Sequence, residues 1–152
     1  MPEILQNARE EMKRADHLLY VSLKYTRTVD VIKSMLERLI NAIDAAVDTM
    51  LDYALKKKLI KEKPENLGLK GDLAKTAFKD PKITEMVDFG MRLKQINRAE
   101  YTKSKEYRRH VTMTAITETG IVNVDIDTTK EYYNKTKDYI EYAERMLFGE
   151  KE

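Results

Sequence analysis

The sequence predicts a mainly α-helical protein, a four-helix bundle of up-down type with a β-hairpin before the last helix. Three observations carry that reading. From Val29 to Tyr53 an apolar residue recurs at alternating intervals of three and four: Val29, Ile32, Leu36, Leu39, Ile43, Ala46, Met50, Tyr53. At about 3.6 residues per turn this spacing draws one stripe down one long helix. Ile40, Val47, Leu51 and Ala54 widen the stripe, as a bundle core requires and a two-stranded seam does not. Past residue 110 the period changes from helical to alternating, the mark of strands.

The elements follow in order. Ile4, Leu5, Ala8, Met12, Ala15, Leu18 and Leu19 give a first helix from Ile4 to about Tyr25. Thr26-Arg27-Thr28 breaks it, and Thr28 suits the N-cap of the long second helix, with Asp30 in its first turn. That helix is expected to reach about Leu59, with Lys56, Lys57 and Lys58 near its negative pole. Lys61 to Asp80 holds Pro64, Gly68 and Gly71 and reads as a connection with a short helix over Asp72 to Phe78. Asp80 caps a third helix with Pro81 at its first position. Ile83, Met86, Val87, Leu93 and Ile96 form its apolar side, to about Tyr101 with a continuation to Tyr107 in reach.

Val111, Met113 and Ala115, then Val122, Val124 and Ile126, alternate with other residues around Thr117-Glu118-Thr119-Gly120. This predicts a hairpin inserted at about residues 109–127. Asp127 or Thr128 caps a last helix to about Phe148, with Thr136, Ala143, Met146 and Leu147 on its buried side. One domain over residues 1–152 is expected, long enough to bury a core without disulfides or metal.

Composition bounds the chemistry. There is no cysteine, so disulfides, thiolate metal sites and cysteine nucleophiles are excluded and a reducing cytoplasm is the expected compartment. Charged residues make up 36% with a net charge of only +2, a surface of mixed sign whose lysine and glutamate richness resembles heat-adapted proteins. Met1-Pro2-Glu3 does not open a signal peptide, and no apolar run approaches the ~20 residues of a membrane span. A soluble protein without a membrane partner is expected.

Few motifs carry chemistry. Glu37, Asn41, Asp44, Asp48 and Asp52 share one helical face, but di-iron bundles need Glu-x-x-His projected inward from several helices. Neither His17 nor His110 follows a glutamate by three, so the row reads as a solvated or interhelical charged face and no metal or cofactor is expected. Glu62-x-x-Glu65 and Glu85-x-x-Asp88 are similar to the paired magnesium motifs of all-α nucleotide pyrophosphatases. Pro64 inside the first pair breaks the helix that motif needs. No nucleophile elbow and no phosphate-binding glycine loop is present.

Arg92 to His110 is the best functional surface. It carries Arg92, Lys94, Arg98, Lys103, Lys105, Arg108 and Arg109 against Glu100 and Glu106, with Tyr101 and Tyr107 interleaved. Cations neutralise phosphates and tyrosine rings stack on bases. Arg98, Lys105, Arg108, Arg109 and His110 are the candidate phosphate ligands. The plainer reading is a solvated helix face, or a seam against the acidic last helix (Asp138, Glu141, Glu144, Glu150, Glu152).

Ala15-Asp16-His17-Leu18-Leu19 on a long first helix, a longer helix containing Ala42-Ile43-Asp44-Ala45-Ala46, and a lysine-rich exit together resemble the HEPN superfamily, over about Ile4 to Tyr101. Short archaeal proteins of that bundle type are similar to the whole chain in pattern. The resemblance implies a helical bundle, a homodimer and a nucleotide- or RNA-directed role. HEPN ribonucleases carry Arg-x(4–6)-His near the start of a late helix, and this chain departs from that. Arg98 is followed at that distance by Lys103, Ser104 and Lys105, and Arg108 and Arg109 by Met113 to Ile116. The expected function is therefore a cytosolic binding or assembly module, without catalysis, for RNA or a nucleotide. The alternative is a degenerate HEPN-type enzyme in which Arg98, Arg108 and Arg109 contact phosphate and His110 serves as acid or base.

Overall fold

Thr28 opens the longest helix. Its hydroxyl accepts a hydrogen bond from the Val31 N–H at 3.3 Å, which satisfies one of the donors a helix start leaves open. From there α3 runs Val29–Lys56 in the computed structural model, which describes residues 3–149. The apolar stripe is the buried face: Ile32, Met35, Leu36, Leu39, Ala46 and Met50 are inaccessible to solvent and Ile43 nearly so. Burying each leucine or isoleucine is worth about 1.5–3 kcal/mol, so this one helix organises the core.

The other helices surround it. α1 (Glu3–His17) continues through a π-helical turn, Leu18–Ser22, into a last α turn, α2 (Leu23–Tyr25). Ala8, Met12, Ala15, Leu19 and Leu23 are its buried side; the side chains of Ile4 and Leu5 lie outside the described residues. α4 is Leu67–Phe78, α5 is Pro81–Arg98 and α6 is Ile126–Phe148. α3 packs against α1, α4, α5 and α6. α5 approaches it closely at Gly90, where an added Cβ would stand 2.9 Å from Ile43 Cγ2.

Several expectations on the elements are corrected. α3 ends at Lys56, earlier than Leu59. Lys58 turns left-handed (φ 60°), its N–H bonds to Leu55 O at 3.2 Å, and the Leu59 N–H bonds to Ala54 O at 2.8 Å, the pair of bonds that closes a helix C-terminus. α4 begins at Leu67, capped by Asn66, because Gly71 is a packing residue rather than a breaker: a Cβ there would meet Val87 Cγ1 at 2.9 Å. α5 stops at Arg98, and the chain continues as a strand.

That strand changes the hairpin into a sheet. β1 (Glu100–Ser104), β2 (Thr112–Thr117) and β3 (Gly120–Val124) pair antiparallel in the order β1-β2-β3. Tyr101 stands opposite Ala115, Lys103 opposite Met113, and Ile116 opposite Ile121. Met113, Ala115 and Val124 are buried against the helices, while Ile116 and Ile121 face solvent. The cap of α6 is Asp125 rather than the expected Asp127 or Thr128, and it accepts from both the N–H and the hydroxyl of Thr128 at 2.8 Å. The result is a mainly helical protein with a small three-stranded antiparallel sheet. Among the described residues no helix is long and apolar enough to cross a membrane.

Candidate ligand cleft

The functional question turns on where the cations go. The row of carboxylates on α3 accounts for several of them. Asp44 pairs with Lys94 of α5 at 2.8 Å, Asp48 with Lys70 of α4 at 2.8 Å and with Lys63 at 3.1 Å, and Asp52 with Lys63 at 2.7 Å. Burial alone would raise the Asp48 carboxyl, but hydrogen bonds and charge from Lys70 and Lys63 outweigh it and hold the group below its ordinary value. The row is an interhelical seam. Among the described residues no three His, Asp or Glu side chains are grouped to hold a metal ion. Glu62 and Glu65 lie outside any helix, and Asp88 is paired with Lys75.

The basic stretch itself is divided. Arg98 closes α5, and its Nε reaches back to the Lys94 carbonyl at 3.4 Å. It lines a hollow of about 390 Å³ with Gln95, Ile116 and the Thr117–Thr119 turn. Lys105 to His110 stand at the other end of β1, one five-residue strand away, a span of about 16 Å at 3.3 Å per residue. Arg92 bonds the Thr119 hydroxyl at 3.0 Å, and Lys103 pairs with Asp30 at 3.4 Å. Among the described residues the acidic last helix forms no ion pair with the stretch. Glu144 pairs with Arg9 of α1, Asp138 and Glu141 are exposed, and Glu150 and Glu152 lie outside the described residues.

At the Lys105 end a cleft forms. The loop after β1 is fastened to the start of α3 twice: Tyr107 N–H donates to Arg27 O at 2.6 Å, and the Glu106 carboxylate accepts from the Val29 N–H at 2.9 Å. Lys105 (φ 55°) and Tyr107 (φ 66°) hold left-handed backbone conformations that non-glycine residues rarely adopt, and such strain collects where function fixes the chain. On the facing side, the Leu23 N–H bonds to Leu18 O across the π-turn. This widened turn carries Leu19 and Tyr20, and π-turns within helices are frequent at functional sites.

Between these walls lies a cavity of about 510 Å³, within the size of small-molecule sites. Its floor is Leu19, Leu23 and Ile126; Lys24, Arg27, Arg109 and His110 line it together with Tyr20, Asp125 and Asp127. Asp125 is committed to capping α6, so the cations outweigh the remaining carboxylate. Arg27 Nε is buried and has no hydrogen-bond partner among the described residues. Tyr20 leans edge-on against Tyr133 at 6.3 Å and leaves its other side open.

Of the five residues singled out in the sequence, Arg109 and His110 line this cleft, Lys105 and Arg108 are exposed on its loop, and Arg98 is remote. Tyr20, Lys24 and Arg27 were not singled out. Their signal was available: Tyr20, Lys24, Tyr25 and Arg27 interleave cations with tyrosines as the later stretch does. Compared with known proteins, the chain matches no family model, no curated protein and no solved structure.

Proposed function

We propose that this protein is a binding module that takes a phosphate-bearing ligand, a nucleotide or a single strand of RNA, in the cleft between the π-turn and the Lys105–His110 loop. One observation carries the reading: Lys24, Arg27, Arg109 and His110 come from separate segments to one cleft. Tyr20 beside them, and Tyr25 and Tyr107 exposed on the adjoining segments, supply faces on which bases stack. Fluorescent single-stranded RNA titrated at two salt concentrations tests it. Affinity is expected to fall with a log–log slope of about −0.7 per phosphate neutralised, and Arg27→Gln with Arg109→Gln to flatten that slope by between one and two. Unchanged binding in this double variant, with a lowered melting temperature, returns these residues to a purely structural role.

A second reading, an RNA- or nucleotide-directed enzyme of degenerate HEPN type, is favoured by the position of His110 beside Arg109 and Arg27, a proton-transfer group next to phosphate-binding cations. Cleavage of labelled RNA that disappears in His110→Ala selects it over plain binding.

Two further features of the reading concern setting and assembly. The cysteine-free sequence supports a cytoplasmic protein. The edge strand β3, Gly120-Ile121-Val122-Asn123-Val124, has no charge or proline to discourage pairing, which supports a homodimer joined antiparallel through that edge. Light scattering that returns a mass near 17.8 kDa removes the dimer.

A further inference from the structure

At the opposite end of α3 the fold presents apolar side chains that are exposed among the described residues. Leu59 is 54% and Leu69 57% exposed, and Leu55 and Leu67 are exposed beside them. A groove of about 680 Å³ runs between the exit of α3 and the first turns of α4, with Leu59, Ile60, Pro64, Leu69 and Leu73 along it. Lys56, Lys57, Lys58 and Lys61 follow the same stretch, and among the described residues none of the four has a carboxylate within ion-pair distance. Glu62 and Asp72 also line the groove.

The backbone adds a second, independent sign. The residue that closes α3 in a left-handed conformation is Lys58, not the glycine that this position favours. Its partner in the motif, Leu59, stays in solvent although the residue there usually makes an apolar contact back to the helix. A local rule is broken at two adjacent residues, and the break holds a lysine and a leucine outward. Such departures belong where a surface is used.

We propose that this end of the bundle docks the acidic, amphipathic helix of a partner protein, its apolar face in the groove and its carboxylates against Lys56–Lys58 and Lys61. Helix-in-groove recognition needs a concave apolar floor and complementary charge on the rim. Ile60 is buried and Leu73 half-buried at the floor, so a flat anionic surface would touch the rim alone, and a helix is the better fit.

The test is fluorescence polarisation of the intact protein with a labelled synthetic helix of about five turns, leucines spaced along one face and glutamates flanking them. Two controls share its composition or pattern: a scrambled version and a version with lysine for glutamate. The acidic helix is expected to bind more weakly as salt rises. Leu59→Ser with Leu69→Ser, and separately Lys56→Gln with Lys58→Gln and Lys61→Gln, are expected to weaken it by about tenfold or more. These side chains are exposed, so circular dichroism and melting are expected to match the parent. Equal binding of the scrambled or lysine helix, or no binding of the acidic one, overturns the proposal. So does sedimentation with phosphatidylcholine–phosphatidylserine vesicles when the acidic helix fails to bind.

Discussion

The Glu106 carboxylate accepts a hydrogen bond at 2.9 Å from the backbone N–H of Val29, the first residue of the central helix, across 77 residues of sequence. An anionic acceptor at a helix start meets both an open donor and the positive end of the dipole. The same loop is what carries Arg109 and His110, so the cleft is anchored to the core by this contact. Glu106→Ala is expected to lower the unfolding free energy by about 1–2 kcal/mol in urea denaturation and to weaken RNA binding at the same time. Glu106→Gln, which keeps an acceptor, is expected to lose less of both. Parent-like stability in the alanine variant would detach the loop from the helix.

At Gly90 the close approach of α5 to α3 sets helix propensity against packing. Alanine is favoured over glycine in a helix by about 1 kcal/mol, but the new methyl would meet Ile43 Cγ2 at 2.9 Å. Gly90→Ala is expected to destabilise by about 1–3 kcal/mol. Leu39→Ala and Ile43→Ala are expected to cost about 2–5 kcal/mol, and Glu37→Ala, which removes an exposed side chain, under about 0.5. Chemical denaturation of the four variants orders them; a stabilised Gly90→Ala would mean that the two helices have room to part.

The lysine–carboxylate seam sets a pH dependence with two signs. Asp48 is held below its ordinary value in the folded protein. Its contribution is present in full above the unfolded value of about 4 and is lost as pH falls through the folded one. Lys63 is raised, first by its hydrogen bond to Asp52 and then by Asp48 against the cost of burial. Its contribution is complete below about 10.4 and is lost as pH rises through the folded value. Tyr133, pushed up to about 12 by burial and by Asp16, adds to the alkaline loss. Stability is expected to hold level between about pH 5 and 9 and to fall on both sides. Asp48→Asn should flatten the acid limb; an unchanged acid limb would exclude Asp48 as its source.

Lys58→Gly is expected to raise stability by about 0.5–1 kcal/mol, because glycine occupies the left-handed region without a steric cost. The gain would be read as a higher midpoint in thermal or urea unfolding. If affinity for an acidic helix falls in the same variant, the lysine is there for its charge and the fold tolerates the conformation.

Much of this was legible from residue patterns. The stripe on α3, its Thr28 cap and the Asp80-Pro81 start of α5 follow from spacing and end chemistry that act locally. β1 was not legible because Glu100-Tyr101-Thr102-Lys103-Ser104 carries no apolar alternation; its conformation comes from pairing with β2, a tertiary effect. Gly71 misled for a related reason, since a glycine that permits close packing and one that breaks a helix look alike in sequence. The cleft was half legible. Arg109 and His110 lie in a visibly basic stretch, whereas Arg27 is brought to them by tertiary contacts, Tyr107 N–H to its carbonyl and Val29 N–H to Glu106.

The π-turn at Leu18–Ser22 has a consequence for how this chain tolerates changes in length. A turn of this kind is what a helix becomes when it accommodates one surplus residue. Removing Val21, whose side chain is exposed, would let the segment rewind as ordinary helix. Leu23 would then follow Leu19 by three positions instead of four, still on the core side. Lys24 and Arg27 would keep close to their present side of the axis, because the wider turn already takes up the extra residue and Leu23 N–H would bond to Leu18 O as an ordinary i→i+4 pair. The surplus residue is thus an insertion confined to one turn, and its loss would narrow that wall of the cleft without turning it away.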